Sequence, residues 1–493
     1  MRKRTKSLRS LCMIGLMVVA VMVLNSCAEG FDNDETFISK VTNSQLNSPE
    51  LTAKSFSNKV NADGSESVQV TWAVVPGASG YRCIVNNVDD PAKPVEVYSG
   101  LVDGTSFLFD KAEDTNYSVS IQTIANTKLG NTDASEPTVY AYSTLVPAQV
   151  IPAGSDIVEF VKKNMVDTED EQAFELEAGA SYTINSELDF GMHPVTFRGN
   201  KVKRSTVTFG VDGVIRTSSG LKVKFINFDR SDQASNGVIE CSSTPYEQLE
   251  GPKFGMQDKA YYLKSPILMQ ECNFRNVHRC LFFTGALAWG IEDVRVNDCI
   301  VQLDNDGNAF GNAAVLCTYS GTSYYKGSAS WNSAIRNITM KNSTFYNIKD
   351  NSKNRAIRFF TNTFSRVFDT NYGSATIENC TFYKVFTGKE FANNTPNRKE
   401  YTIKFNHNVT YDCFRLQKFI QNNCTLNVDV TTNTCFGVTQ ATDGTDKQRC
   451  ATEEDANFVG PVDQPFDLSQ EKGGGNFKAQ GAISSQNGDP RWR

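Results

Sequence analysis

A short acidic segment in the second half of the chain carries the oxygen ligands that a hard cation prefers. Asp304, Asp306 and Asn308 stand at alternate positions of the run Asp-Asn-Asp-Gly-Asn. This spacing is similar to the start of a calcium-binding loop, although the distal bidentate glutamate of an EF-hand is missing. The run predicts a calcium site that includes Asp304 and Asp306, and the alternative is an ordinary polar turn.

Basic residues occur in two similar stretches on either side of this segment. Arg279 begins the first stretch, with Arg275 and His278 just before it, and the second contains Arg355 and Arg358. The stretches differ by one residue, and a one-residue shift reverses the face of a strand, so either Arg355 or Arg358 corresponds to Arg279. On neighbouring strands about 4.8 Å apart, such groups could bind successive carboxylates of a uronic acid chain. The alternative is a set of solvated charges that discourages aggregation at a sheet edge.

A repeated segment surrounds these residues and must position them. Copies similar to Asn-Cys-Thr-Phe-Tyr start at residues 271, 298, 342, 379 and 407, and a weaker copy starts at residue 433. One copy cannot bury its apolar side alone, so the copies must stack as coils of a solenoid, with loops inserted in the longer turns. Alternation along each strand sends two of these positions inward, which predicts a parallel β-helix. The predicted inward columns are Cys272, Cys299, Ser343, Cys380 and Asn408, and then Phe274, Val301, Phe345, Phe382 and Thr410.

The repeat also predicts a column of outward side chains, which reads Arg275, Gln302, Tyr346, Tyr383 and Tyr411. Three tyrosines in a row could form an exposed stripe along the solenoid. A tyrosine ring has a flat apolar face and a polar edge, which suits sugar rings. The alternative is that inserted loops pack over the stripe.

The corners and the first end of the solenoid have signals of their own. Asn342, Asn379 and Asn433 precede repeated strands, where asparagine side chains could satisfy the backbone groups of a tight turn. Ser155-Asp156 could cap an amphipathic helix over residues 157–165. Such a helix would cover the open end of the solenoid.

A different pattern precedes the repeat. Between residues 46 and 148, short alternating runs are separated by turn residues, which is typical of an antiparallel sandwich. Trp72 is expected in the core between the sheets, flanked by Tyr81 and Tyr117. The segment resembles a fibronectin type III domain. Such modules usually act as spacers, and sugar binding is the alternative.

The N-terminus has the layout of a secretory signal. Five basic residues precede an apolar run over residues 11–24, which is shorter than the roughly 20 residues needed to cross a membrane. The following Leu-Asn-Ser-Cys resembles the lipobox of bacterial lipoproteins, which implies a signal peptide over residues 1–26, a lipid on Cys27 and a tether over residues 27–45. Acidic residues at 29, 32, 34 and 35 resemble the surface-export signal of glycan-utilisation lipoproteins, or they form a solvated tether.

Composition restricts the classes of partner and chemistry. The net charge of −6 and the pI near 5.4 argue against a nucleic-acid partner. The chain has three histidines, so histidine-based metal or triad chemistry has few ligands to use. Of the 13 cysteines, Cys12 and Cys27 lie in the leader and at the anchor, which leaves 11 without a Cys-x-x-Cys pair. Most of these are predicted to be small buried apolar side chains.

Three motifs together resemble a known family. They are Leu-Glu-Ala-Gly-x-x-Tyr at residues 176–182, the Asn-Cys-Thr-Phe type of strand at residues 379–382, and the ending Gly-Asp-Pro-Arg-Trp at residues 488–492. The chain resembles the pectate-lyase-like β-helix lipoproteins of polysaccharide-utilisation loci, which often carry a fibronectin-like domain in front. The resemblance implies an all-β chain, with the sandwich followed by a right-handed parallel β-helix over residues 149–493.

The resemblance implies that the protein handles an extracellular, uronic-acid-containing polysaccharide. It would be lipid-anchored in the outer membrane, exposed at the cell surface, and would work beside outer-membrane glycan-uptake components. Three classes stay open: a polysaccharide lyase, a non-catalytic glycan-binding protein, and a structural or adhesive surface protein. A lyase needs a base and a cationic clamp, for which the candidates are Arg279, Arg355 and Arg358, with calcium at Asp304 and Asp306. Candidate substrate-binding residues are Arg275, Tyr346, Tyr383 and Tyr411.

Overall fold

A computed structural model describes residues 41–232, 237–256, 260–285, 287–304, 314–317, 333–348, 358–361, 368, 372–385, 391–393, 398–411, 413, 420, 423–436, 458 and 477–493. The predicted lipidation site Cys27 and the signal peptide lie outside these residues. The chain divides into two compact units between Leu145 and Val146.

The first unit is an antiparallel sandwich. One sheet has three strands in the order β1-β2-β5 and the other has four in the order β4-β3-β6-β7. The strands are β1 (Phe56–Val60), β2 (Glu66–Thr71), β3 (Ala78–Asn87), β4 (Val95–Val102), β5 (Ser106–Asp110), β6 (Asn116–Ala125) and β7 (Thr138–Ser143).

The core of the sandwich is the one that the alternating runs predict. Trp72, Tyr81 and Tyr117 are all buried, and the rings of Trp72 and Tyr81 meet edge to face with centroids 5.1 Å apart. The Tyr117 hydroxyl accepts a hydrogen bond of 2.9 Å from the backbone N–H of Ala112. A strand tyrosine that is bonded back to an upstream backbone group is typical of immunoglobulin-like sandwiches.

The second unit is a parallel β-helix of three sheets, and the predicted fold class is confirmed. Sheet one contains β8 (Ala148–Ile151), β9 (Gln172–Leu176), β12 (Val195–Arg198), β15 (Leu221–Lys224), β18 (Ala260–Leu263), β19 (Ile267–Gln270), β22 (Ala288–Asn297), β25 (Ala334–Lys341), β28 (Gly373–Glu378), β31 (Tyr401–Asn406) and β33 (Thr425–Asn427). Sheet two contains β10 (Ser181–Ile184), β13 (Ser205–Phe209), β16 (Ile226–Asp229), β20 (Asn273–Val277), β23 (Ile300–Leu303), β26 (Thr344–Asn347), β29 (Thr381–Tyr383), β32 (Val409–Tyr411) and β34 (Thr434–Phe436). Sheet three contains β11 (Glu187–Asp189), β14 (Val214–Thr217), β17 (Ile239–Cys241), β21 (Phe282–Phe283), β24 (Ala314–Cys317), β27 (Arg358–Thr361) and β30 (Ala392–Asn393).

The predicted inward columns are correct. Strand pairing places Phe274 opposite Val301, Val301 opposite Phe345 and Phe345 opposite Phe382, and all four are buried. The rings of Phe345 and Phe382 stack with centroids 5.5 Å apart. Repetition of apolar side chains at one strand position therefore builds a continuous core along the solenoid.

Six of the corners between sheet one and sheet two use a residue other than glycine in the left-handed backbone region. Six such residues, with φ between 49° and 58°, are Phe225, Glu271, Asp298, Asn342, Asn379 and His407. Asparagine and aspartate tolerate this conformation better than most residues. At four of these corners the next side chain turns inward and donates to a carbonyl at the end of the preceding strand, as Cys272 Sγ does to Gln270 at 3.3 Å and Ser343 Oγ to Lys341 at 2.7 Å.

One corner assignment is wrong by one residue. Thr434 pairs with Val409, so Asn433 corresponds to Asn408 rather than to His407. The buried Asn433 amide donates to Phe405 O at 2.8 Å and its oxygen accepts from the backbone N–H of Asn408 at 3.0 Å. A short 3-10 turn, Val430–Thr432, precedes this corner, and it changes the spacing on which the alignment relied.

The cysteines act mainly as small buried groups. Among the residues that the structure describes, eight are free and buried: Cys83, Cys241, Cys272, Cys280, Cys299, Cys380, Cys413 and Cys424. Burial raises the pKa of the Cys272 thiol to about 12, so this thiol stays protonated and unreactive at neutral pH. Cys435 forms a disulfide.

The helix α1 (Ile157–Asn164) has the predicted cap. The Asp156 carboxylate accepts from the backbone N–H of Glu159 at 3.0 Å, while Ile157 and Val161, four residues apart, are buried against the first coil. Within the described part of the chain, no helix has both the length and the apolarity to span a membrane.

Candidate functional site

The tyrosine column lies where alternation places it, but it is covered. Tyr346 pairs with Tyr383, which pairs with Tyr411, on the outer side of sheet two. Tyr346 and Tyr383 are only 1% and 4% exposed because Phe477 and Trp492 pack over them. The expected exposure is therefore wrong for Tyr346 and Tyr383, whereas Tyr411 is half-buried, and Phe458 joins the C-terminal segment in the cover.

The motif at residues 488–492 holds this cover in place. The fully buried Asp489 carboxylate accepts from Thr344 Oγ1 at 2.7 Å and pairs with the Arg491 guanidinium. Arg491 also donates to the carbonyls of Asp298, Cys299 and Asn342 at 2.8–2.9 Å. Burial alone would lower the pKa of Arg491, but the charge of Asp489 raises it above its ordinary value. The segment thus supplies hydrogen-bond donors to carbonyls at two corners of the solenoid.

The predicted basic and acidic residues meet near the turn from sheet two to sheet three. The Arg279 guanidinium lies 4.1 Å above the Phe283 ring, and His278 Nδ1 is 3.4 Å from the Asp304 carboxylate. Arg275 lies on β20 of sheet two, where strand pairing places it opposite Asp229.

The remaining predicted site residues are only partly described. Arg358 begins β27, whose backbone pairs with β24, while Arg355 and Asp306 lie outside the described residues. Among the residues the structure describes, no group of three His, Cys, Asp or Glu side chains is placed to bind a metal. The calcium site at Asp304 and Asp306 stays a prediction.

Glu240 is a charged residue that the sequence patterns did not single out. It is only 3% exposed on the outer side of sheet three, where its carboxylate accepts from the backbone N–H of Gly237 at 2.7 Å and from Arg216 at 3.4 Å. Burial raises its pKa, and the charges of Arg216, Arg279 and Arg230 oppose that rise. A signal was present: Val-Ile-Arg-Thr and Val-Ile-Glu-Cys place Arg216 and Glu240 opposite each other on paired strands.

The Arg279 candidate thus stands beside a buried carboxylate. With so little of Glu240 exposed, this group can stabilise charge within the fold but cannot itself contact a polymer. Near the turn from sheet two to sheet three, the carboxylate of Glu240 therefore balances the positive charges of the neighbouring arginines.

The outer side of sheet one is the contrasting surface, and we call it the open face. Strand pairing aligns its outward side chains in two rows. The first row is Lys222, Leu268, Arg295, Thr339, Thr376 and Lys404. The second row is Lys224, Gln270, Asn297, Lys341, Glu378 and Asn406. On three adjacent strands, Lys404 Nζ lies 2.7 Å and Lys341 Nζ 3.6 Å from the two oxygens of Glu378. The Lys341 and Lys404 side chains remain 45% and 37% exposed. Two ammonium groups thus share one carboxylate on an accessible surface.

Two family models match the chain. The first is a domain of unknown function, DUF4992, over residues 1–190, and the second is a domain of unknown function, DUF4957, over residues 180–348. Each covers less than half of the chain, and the two meet in the first coil of the β-helix. No curated protein matches the chain.

Proposed function

We propose that this protein is a cell-surface lipoprotein that binds an acidic, uronic-acid-containing polysaccharide on the open face. The observation that carries the proposal is the group formed by Lys341, Glu378 and Lys404. One carboxylate cannot neutralise two ammonium groups, so the group has a net positive charge among the described residues. Each ammonium has three donors and can bind a sugar carboxylate while Glu378 keeps its orientation.

The geometry of a parallel sheet suits a repeating ligand. Neighbouring strands are about 4.8 Å apart, so the backbones of Lys341 on β25 and Lys404 on β31 are separated by two strand spacings, roughly 10 Å, while their ammonium groups converge on Glu378. A polymer with a carboxylate on successive sugars offers charges at a regular interval. In this proposal the two lysines contact the polysaccharide, in place of the predicted tyrosine stripe.

The N-terminal sequence supports the proposed location. The basic and apolar leader, the Leu-Asn-Ser-Cys run and the acidic residues after it favour an outer-membrane lipoprotein with its lipid on Cys27. The β-helix and the sandwich in front of it agree with the pectate-lyase-like lipoproteins of polysaccharide-utilisation loci. Outer-membrane glycan-uptake components would then be neighbours of this protein.

Catalysis is a separate question with its own test. A lyase produces an unsaturated uronate, which absorbs ultraviolet light, and it would rely on Arg279, Arg355 or Arg358 with calcium at Asp304 and Asp306. The binding role needs none of these residues. A rise in ultraviolet absorbance on incubation with polyuronate and calcium would establish the enzyme class.

Binding is tested with the full-length chain in detergent by affinity electrophoresis in gels that contain polygalacturonate, alginate or neutral dextran. We expect retention by a polyuronate that weakens as salt rises. The double variant Lys341→Ala/Lys404→Ala should bind about two- to thirtyfold more weakly, since each of the two exposed ion pairs contributes about 0.2–1 kcal/mol.

Lys222→Ala is the matched control, because Lys222 lies on the same face but pairs with Glu171 one to one, at 2.7 Å. It should bind polyuronate almost as well as the unaltered chain. Absence of retention in every gel, or retention that neither salt nor the double variant alters, would contradict the proposal.

A further inference from the structure

An aromatic and charged cluster lies nearer the beginning of the same sheet-one strands. Arg336 of β25 donates through Nη1 to Glu292 Oε2 of β22 at 2.9 Å and to the hydroxyl of Tyr372 at 2.6 Å. The hydroxyl of Tyr262 on β18 donates to the same Glu292 oxygen at 2.9 Å. Burial, and then the bond to Glu292, raise the pKa of Tyr262 to about 12, so this phenol remains a hydrogen-bond donor.

The cluster fixes the position of an exposed ring. The Arg336 guanidinium lies between two rings, 4.2 Å from the centroid of Phe368 and 4.1 Å from that of Tyr372. Phe368 is buried, whereas Tyr372 is 48% exposed. Cation–π contact on one side and a hydrogen bond at the hydroxyl leave Tyr372 little freedom to rotate, so a ligand that stacks on it loses little side-chain entropy.

Glu292 supplies a fixed acceptor beside this ring. Both of its hydrogen bonds from side chains enter through Oε2, and within the described residues no donor reaches Oε1. The side chain is 27% exposed. A carboxylate that is held by two donors and keeps one oxygen accessible can accept hydrogen bonds from neighbouring hydroxyl groups.

The geometry points to a pyranose-binding subsite formed by Tyr372, Glu292 and Arg336. The apolar C–H face of a sugar ring stacks on Tyr372, and hydroxyl groups of the same sugar donate to Glu292 Oε1. The site recognises the ring and its hydroxyl groups, not a carboxylate, so it accepts neutral and acidic pyranoses alike. It deepens the proposed glycan function and rests on it.

The subsite is separate from the two lysines. Arg336 and Lys341 are five residues apart on β25, which corresponds to about 16 Å along an extended strand. A short oligosaccharide therefore occupies one site and not both. This separation allows the two contacts to be tested independently.

The test uses the full-length chain in detergent and saturation-transfer NMR with short oligosaccharides of galactose, glucose, xylose and galacturonate. Transfer to the C–H protons of one sugar face is expected for at least one neutral oligosaccharide. Tyr372→Ala should weaken that binding about tenfold, whereas Tyr372→Phe, which keeps the ring, should stay within about twofold. Glu292→Gln tests the acceptor with the shape preserved and should weaken binding about threefold.

The outcomes separate the subsite from the proposed function. If polyuronate is retained in a lysine-dependent way but Tyr372→Ala and Glu292→Gln bind every oligosaccharide as the unaltered chain does, the subsite is wrong and the proposed function stands. If neutral sugars bind through Tyr372 while the lysine variant retains polyuronate fully, the subsite stands and the acidic polymer is the wrong ligand. Loss in Tyr372→Phe equal to that in Tyr372→Ala would also overturn stacking. Thermal unfolding of each variant identifies any that fail to fold.

Discussion

The outer sides of sheet one and sheet two are built by the same alternation, and they differ in what lies on top of them. On sheet two the outward Tyr346 and Tyr383 lie under Phe477 and Trp492, and the half-buried Tyr411 packs against Phe458. On sheet one the outward Lys341 and Lys404 remain accessible. A strand pattern therefore tells which way a side chain points, but exposure depends on segments that are distant in sequence.

The cover of sheet two depends on few, well-defined contacts. Asp489 and Arg491 bond to groups on three coils, and Gly488 donates its N–H to His407 O at 2.8 Å. Lys341 and Lys404 of the open face have no comparable cover among the described residues, and they pair with Glu378 across strands. Substitutions under the cover should thus change stability, while those on the open face should change binding.

Asp489→Ala should have the largest effect on stability. Removing one partner of a buried ion pair typically destabilises a protein by about 3–5 kcal/mol, because the other charge stays buried. Thr344 and Arg491 would both lose an acceptor. Denaturant unfolding, followed by a probe in the β-helix, measures the loss.

Asp429→Ala is the matched control for that loss. Asp429 is exposed and accepts from Thr431 within a turn of the same unit, so its replacement should change the free energy of unfolding by less than about 1 kcal/mol. Equal losses in the two variants would show that the C-terminal segment is not anchored through Asp489.

Tyr383→Ala should destabilise the β-helix by about 3 kcal/mol without weakening glycan binding by the folded protein. The ring is buried and stacks on Tyr411 with centroids 4.9 Å apart, so truncation leaves a cavity. Tyr383→Phe, which keeps the ring, should cost under about 1 kcal/mol. Unaltered stability together with lost polysaccharide retention would instead support a sugar-binding tyrosine stripe.

The sequence predicted most of the fold because the β-helix repeats one rule. The inward positions that Cys272 and Phe274 occupy recur in every copy, so an ambiguous assignment in one copy is resolved by comparison with the others. The sandwich core around Trp72 followed from alternation in the same way. Asn433 was misplaced because a local 3-10 turn replaced the usual corner there, and no average over copies could show it.

The site was predicted less well, for a physical reason. Covering of Tyr346 depends on a segment more than a hundred residues later, and nothing in the repeat encodes that contact. Tyr372 belongs to no repeated column, so its contact with Arg336 is visible only in three dimensions. Arg216 and Glu240 could have been paired from their aligned runs, but only if sheet three had been recognised as well as sheet two.

Gly488→Ala should destabilise by about 2 kcal/mol, which makes it the next largest effect. Gly488 has φ +82°, and an added Cβ would lie 2.5 Å from Thr381 Oγ1 beneath the covering segment. A non-glycine residue in this region of φ costs of order 1–3 kcal/mol. Gly154→Ala is a close control, since Gly154 has φ +80° but open space around it. The difference in unfolding free energy between the two variants measures the contact alone, and no difference would mean that the segment does not press on sheet two.

Sheet three is intermediate between the covered sheet two and the open face of sheet one, and it leads to a prediction of how stability depends on pH. Glu240 points outward but is buried, and its pKa is raised chiefly by that burial. An acid with a raised pKa in the folded state favours folding most at pH values below its pKa in the unfolded chain, about 4.3, where both states are protonated. This advantage disappears as pH rises through the higher pKa of the folded state.

Glu240→Gln should therefore become more stable relative to the unaltered chain as pH rises from about 4 to about 7. Glutamine still offers an oxygen to the N–H of Gly237 and carries no charge to bury. Glu187→Gln controls for Arg216, because Glu187 contacts the same guanidinium at 2.6 Å from a more exposed position. Denaturant unfolding across this pH range gives the sign. A relative stability of Glu240→Gln that falls with pH would mean that attraction to Arg216, Arg230 and Arg279 outweighs burial, and that this outward residue behaves like those of the open face.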